Sequence, residues 1–590
     1  MTGNRVAHPL LLSLANIHAE IRVKSSYHAF LLLALFPCPK FLYPVKAMRG
    51  PLENRVIHRC LDIICAPLKI AAKLGRMMAD PLGHMRLCYT PLAVYIADTP
   101  EACMLTGVAG LTSHMTLANY KQFGDSFRHE PRCGSTTLAQ INALTETVDP
   151  WDLQAYHKAA LNTYRLNTVH LPFWRDWPLS DPLHCMAPEP LHHWHKFFWD
   201  HEAQWCILVV GDLEINFRFS IIQPRTGFRH FAEGIAGIKQ ATGRVHRDVQ
   251  RLLIATIAGA APSGFVIAVR ALMDFRYLAQ MQVIDETTLT LIDDALKEFH
   301  RHKHHILNAG ARRGAKNNVI NDFQIPKLEL LHSVVPSVRL IGPAIQWTAD
   351  TTEHCNITEI KEPAHAGNNK NYETQICQTL DRAKKCRFFD IATSLLESNQ
   401  VLDGSVSFES DDSDEDDPIK DQPLGIVQPP DAHKKPVDYF AEAQRLIHSP
   451  PTLGPLPLRT FSTQSTAFHL NSRPSKTSIS VDDAAALFVL PDLRPALADH
   501  VNRLQHGLQW VHCIGGRRSS PPNAILPFKN IQIWYNVRMQ MKAAHDLTTV
   551  QPSQVVHASP PSLQWPHGYY ETALVSNVPQ STWPGSGLSG

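Results

Sequence analysis

The sequence predicts an α/β core split by a large, mainly helical insertion, with an irregular linker and a small α+β domain after it. Three observations carry this. Short apolar runs at 9–17 and 28–36 precede a segment with helical periodicity. Residues 131–345 carry apolar side chains mostly at helical spacing. After Leu395 periodicity stops, and from Asp403 acidic residues, then Pro, Ser and Thr, take over.

The runs PLLLSLANI (9–17) and HAFLLLALF (28–36) read as two neighbouring buried strands. From Pro51 to Leu74, Val56, Cys60, Ile63, Ile64 and Leu68 recur at helical spacing, with Pro67 predicting a kink and Gly75 the end. Leu87–Ala97, with its segment PLAVYIA, predicts a central strand buried on both faces and closed by Asp98. A helix follows, with Thr99 as N-cap, Pro100 in the first helical position and Glu101 at the positive end of the dipole.

Within the insertion, Leu213, Ile215, Phe217, Phe219 and Ile221 alternate with polar residues and predict a strand. Leu289, Ile292, Leu296, Phe299 and Ile306 predict an amphipathic helix between Asp285 and Gly310. The expected partition is 1–130 partial core, 131–345 insertion, 346–398 return segment, 399–480 disordered linker, 481–577 C-terminal α+β domain and 578–590 frayed tail. In the C-terminal domain, Ile531, Ile533, Tyr535, Val537 and Met539 predict one half-buried strand.

Composition excludes several classes. No run of eighteen apolar residues occurs and no secretory pattern opens the chain, so a nuclear or cytosolic protein with no membrane partner is expected. Twelve cysteines without a Cys-x-x-Cys pair predict reduced thiols, with Cys60 and Cys65 in a helix core. The net charge of +2 conceals nine acids and one lysine at 403–421; that run is −8, so the remainder is +10, which suits a polyanion. No Walker loop, Gly-x-Ser-x-Gly elbow or dinucleotide fingerprint supports nucleotide, esterase or hydride chemistry.

The order strand, strand, helix, buried strand ending in Asp98 is that of a ribonuclease H-like sheet without its first strand. An acid at such a strand end faces the crevice where α/β sheets place ligands. A lone Asp before a helix is also a common cap. The segments PLENRVIHRCLDI, YIADTPEACMLTGVAG, YKQFGDSFRHEPR, PFWRDWPL, EPLHHWHKFFWDHEAQWC, GFRHFAEGI, RALMDFRYLAQ and IQWTADTTEHCNITEIK resemble the Plavaka-type DNA transposases of fungi, over about residues 9–395. LPFKNIQIWYNVRMQ and ASPPSLQWPHGYYE resemble the uncharacterised domain often attached to them.

The resemblance implies an RNase H-like transposase of the DDE type, with three acids holding Mg2+ or Mn2+ and with DNA as partner in the nucleus. Asp98 matches the second acid; Glu353 is the preferred third, with Glu189 as rival. The first acid belongs upstream of PLLLSLANI, where MTGNRVAH offers no carboxylate. A catalytically defective, DNA-associated derivative is therefore expected. The alternatives are an active transposase from a truncated gene model and a noncatalytic interaction protein on the old scaffold. Arg312, Arg313 and Lys316, and Arg382, Lys384, Lys385 and Arg387, are the candidate phosphate contacts. His192, His193, His195 and His201 read as a packed aromatic helix rather than a metal set, and His300, His302, His304 and His305 as a helix end.

Overall fold

The computed structural model describes residues 8–398, 438–448, 459–506, 519–542 and 550–572, apart from 25–26, 81–82, 225–228, 239–242, 315, 369, 464–465, 472, 552, 563–564 and 566–567. The chain is mixed α/β, rich in helix and with small sheets, and forms two compact units, 1–216 with 235–406 and 217–234 with 407–590. Among the described residues no helix is long and apolar enough to cross a membrane.

In the first unit, β1 (His8–Leu12) pairs antiparallel with β2 (Leu31–Phe36). The two expected strands are present but shorter and less covered, with Leu31 and Leu33 exposed. The expected helix and kink follow as Arg49–Ile64 and Ala66–Leu74, broken at Cys65, with Pro67 where the second helix has no use for its N–H. Gly75 ends it at φ +73, a region glycine enters without a Cβ clash. Cys60 and Cys65 are free thiols in or against the core, as expected, and burial pushes the Cys65 thiol up to about 11.

The expected central strand at Leu87–Ala97 is not formed. β3 (Arg76–Ala79) and β4 (Met85–Cys88) make an exposed two-stranded ribbon that stops before Pro91, which has no N–H for a ladder. Beyond it the backbone stays extended but is served piecemeal: Leu92 N–H donates to Ser180 Oγ at 2.7 Å and Tyr95 N–H to the Cys185 carbonyl at 2.8 Å. A single parallel bridge joins Tyr95 to Met186.

The core around this segment crosses the expected boundary at residue 131. Leu61, Cys65, Ala72, Ala97, Ala102 and Leu105 pack with Phe173, Trp174, Trp177, Met186 and Leu330. Residues 9–130 and 346–395 also meet, through hydrogen bonds: Arg22 Nη2 donates to the Gln346 carbonyl at 2.7 Å, and His28 Nδ1 lies 3.3 Å from Glu359 Oε1. The Asp285-capped helix is present as Glu286–His302, packed on Ser263–Ala279.

The strand expected at 213–221 is a helix, Asp212–Ser220. Its alternating residues include an i,i+4 pair, and that pair is what is buried: Ile215 and Phe219 are 0% and 1% exposed, against 89% for Leu213.

In the second unit, β5 (Thr460–Ser462), β6 (Thr466–Leu470), β7 (Lys476–Ser480), β8 (Asn530–Ile533), β9 (Asn536–Met541), β10 (Gln554–Ser559) and β11 (Tyr569–Tyr570) form a five-stranded sheet ordered β11-β10-β9-β6-β5 and a pair β7-β8, all antiparallel. Two expectations fail here. The linker does not run to 480, because Tyr439–His448 is a helix and β5, β6 and β7 lie before residue 481; residues 399–437 are outside the described set. The single strand at 531–539 is two, in different sheets. Between them Trp534 Nε1 donates to the Asn471 carbonyl at 2.9 Å and Tyr535 N–H to Ser475 Oγ at 3.0 Å, so these two donors serve loops, while the Tyr535 carbonyl accepts from Ala558 N–H of β10 at 2.7 Å.

Candidate functional site

Asp98 stands at the end of the extended segment, where its Oδ1 accepts the Glu101 N–H at 2.9 Å and caps the helix Thr99–Thr106. The cap is thus Asp98, not Thr99, whose hydroxyl is instead 2.8 Å from His193 Nε2. Burial, then the neighbouring charge of Asp98, raises the Glu101 carboxyl to about 7, and a hydrogen bond with Tyr95, then the field of His192, opposes the shift.

The bridge between Tyr95 and Met186 sets the Asp98 segment alongside the chain leading to Glu189. Glu189 precedes a π-helix, Pro190–His195, and is 1% exposed. Its Oε1 accepts from Leu191 N–H at 2.6 Å and Ala349 N–H at 2.7 Å; its Oε2 accepts from His192 N–H at 2.8 Å and lies 2.8 Å from His192 Nδ1. The other ring nitrogen of His192, Nε2, lies 3.0 Å from Glu353 Oε1 on the helix Asp350–Asn356. The two rivals for the third acid are therefore partners, joined by one imidazole.

The hydrogen bonds to Glu189 and Glu353 outweigh burial and raise His192 to about 10, and the reciprocal bond holds Glu353 below its usual value. The next two histidines behave oppositely. Burial pushes His193 down to about 3; its Nδ1 donates to the Glu189 carbonyl at 2.8 Å, so Nε2 is left to accept from Thr99. Burial, then Arg276, takes His195 to about 2, with Nδ1 accepting from Arg276 Nη2 at 2.7 Å. The aromatic helix was expected, since Trp194, Phe197 and Phe198 are wholly covered. The role of His192 was missed, although its i,i+3 spacing from Glu189 was visible.

These residues do not fit a two-metal acid set as arranged. Both oxygens of Glu189 are taken by N–H donors, and a cationic imidazole occupies the space between Glu189 and Glu353. Among the described residues no three His, Cys, Asp or Glu side chains converge as metal ligands.

Of the candidate phosphate contacts, Arg312 is committed to the fold: it is buried over the Phe323 ring at 5.9 Å, with Nε donating to the Asp322 carbonyl. Arg313 and Lys316 are exposed. Arg382, Lys384, Lys385 and Arg387 all lie on the helix Tyr372–Ser398, where Arg387 is half-buried and the others are exposed. His300 and His302 close the helix Glu286–His302 as expected, with His300 stacked 5.0 Å from His332, but His304 and His305 open the next short helix, His304–Asn308.

No curated protein and no solved structure matches the chain. Two family models do. That of the Plavaka transposase matches residues 1–206, which include Asp98 and Glu189 and stop short of Glu353; that of a domain of unknown function, DUF6830, matches residues 440–590, beginning near the Tyr439–His448 helix rather than at 481. The chain carries a Plavaka transposase domain followed by a DUF6830 domain.

Proposed function

We propose that this chain is a transposase-derived, DNA-associated nuclear protein, built on a ribonuclease H-like scaffold, that does not cut DNA. The reading is carried by the Glu189–His192–Glu353 bridge. Phosphodiester chemistry of this class needs carboxylate oxygens open to Mg2+ or Mn2+, which would activate the attacking oxygen and steady the leaving one. Here Glu189 spends its oxygens on four N–H groups, and protonated His192 supplies the positive charge that a metal would otherwise bring. Glu353 keeps more than half of its side chain exposed, but its Oε1 faces His192.

The Plavaka match supports the association with DNA, and so does the surplus of +10 outside the acidic run, since Lys and Arg release condensed counterions on meeting phosphate. The scaffold reading is supported by the order of β1, β2, two helices and the extended segment ending in Asp98. Fluorescence anisotropy should show DNA binding that weakens steeply with salt, and titration with Mn2+ followed by electron paramagnetic resonance should leave the ion free at submillimolar concentration. Tight Mn2+ binding lost in Asp98→Ala and in Glu353→Ala would sink the reading.

A further inference from the structure

We propose that the outward face of the Tyr372–Ser398 helix seats single-stranded DNA, with Arg382 and Lys385 taking phosphates and Phe389 stacking on an unpaired base. This rests on the DNA-associated reading above and names the form of DNA and the surface that holds it.

Among the described residues the helix is anchored near its beginning. Ile376 is 0% exposed, and the elements packed against the helix are the Glu362–His365 helix and the Ile357–Lys361 π-helix. Farther along, Phe388, Phe389 and Ile391 are 61%, 71% and 57% exposed. Arg382, Lys385 and Phe389 stand at i, i+3 and i+7 and so share one face. At about 100° per residue Lys385 lies roughly 180° around the helix from Ile376, so that face points away from the anchor.

The chemistry of the face selects the occupant. Between residues 381 and 390, four cations (Arg382, Lys384, Lys385, Arg387) meet two anions (Asp381, Asp390), a surplus of +2 that complements phosphate. A second copy packed through this face would set like charges against their own images. The Lys385 ion pair with Asp381 at 2.6 Å joins two exposed side chains, so it is weak and a phosphate can replace it. A cation beside an aromatic ring is already built next door, with Lys384 Nζ 5.4 Å from the Phe388 ring centre. Exposed rings among cations suit unpaired bases, whose faces are open; in a duplex those faces are stacked on one another.

The test uses the full chain and a fluorescein-labelled twenty-nucleotide oligothymidylate, with a duplex of equal length beside it, read by anisotropy over a salt series. Phe389→Ala should weaken single-strand binding by about tenfold without changing the salt slope. Arg382→Gln with Lys385→Gln should flatten that slope by about 1.4, at about 0.7 per phosphate contact. All three substitutions are on the surface, so unchanged circular dichroism is expected. If the parent binds the oligonucleotide and neither variant differs from it, this proposal fails alone. If the parent binds no DNA at all, the DNA-associated reading fails with it. If Phe389→Ala breaks a dimer in sedimentation and leaves DNA binding intact, the face is a self-interface and the proposal is overturned.

Discussion

An imidazole held between two carboxylates keeps its proton long after a free one has lost it, and His192 at about 10 is cationic throughout the neutral range. Its folded value lies above the unfolded 6.5, so its contribution to stability is full below about pH 6.5, declines as pH rises and is gone above about 10. Urea unfolding at pH 7 and pH 10 should show that loss, and His192→Ala should abolish the difference between the two. The two acids should not respond alike. Glu189→Ala leaves three backbone N–H groups without their acceptor around a buried side chain, a cost of about 3 kcal/mol, while His192 keeps Glu353 as partner. Glu353→Ala removes a side chain that is 55% exposed, and should cost at most about 1 kcal/mol. Equal costs for the two would show that Glu189 is not the anchor. Reading residues alone made these acids competitors, because the spacing of Glu189 and His192 is local while the approach of Glu353, 161 positions beyond His192, exists only in the folded chain.

Elements were legible where one periodicity ruled. The helix at 286–302 buries the stripe its sequence shows, whereas the kinked pair at 49–74 covers the row of His58, Leu61, Cys65 and Ala72 and leaves Ile63 60% exposed; both carry local stop or start signals, Pro67 and Gly75 in one and Asp285 in the other. They were illegible where two periods overlap. Residues 213–221 alternate as a strand does, yet Ile215 and Phe219 also satisfy i,i+4, and burial follows the latter. Phe219→Ala should therefore cost about 3–5 kcal/mol, as a fully covered aromatic does. Phe217→Ala, at 59% exposure, should fall within about 0.5 kcal/mol of the parent. Comparable losses at both positions in chemical denaturation would refute the helical face. The segment 87–97 failed for another reason: apolar character predicted burial correctly at Ala97, but a ladder also needs N–H groups and a neighbour, and Pro91 removes the first.

For the whole molecule, the resemblance was readable from many short segments in one order, while the boundaries were not. A break at 131 is invisible in the structure because Phe173, Trp174, Trp177 and Leu330 complete the core that Leu61 and Leu105 begin. Local composition cannot report such long-range completion. Strands lie ahead of the start at 481 that composition suggested, since the Thr- and Ser-rich β5 and β7 and the mixed β6 take their partners from strands later in the chain. On the proposed reading this fold keeps DNA contact while Glu189 and Glu353 are engaged with the protein itself. The most direct measurement is incubation of the full chain with supercoiled plasmid in Mg2+ and, separately, in Mn2+, with products resolved on an agarose gel. Supercoiled DNA should persist at protein concentrations that retard it. Nicked or linear product that vanishes with Asp98→Ala would contradict the account.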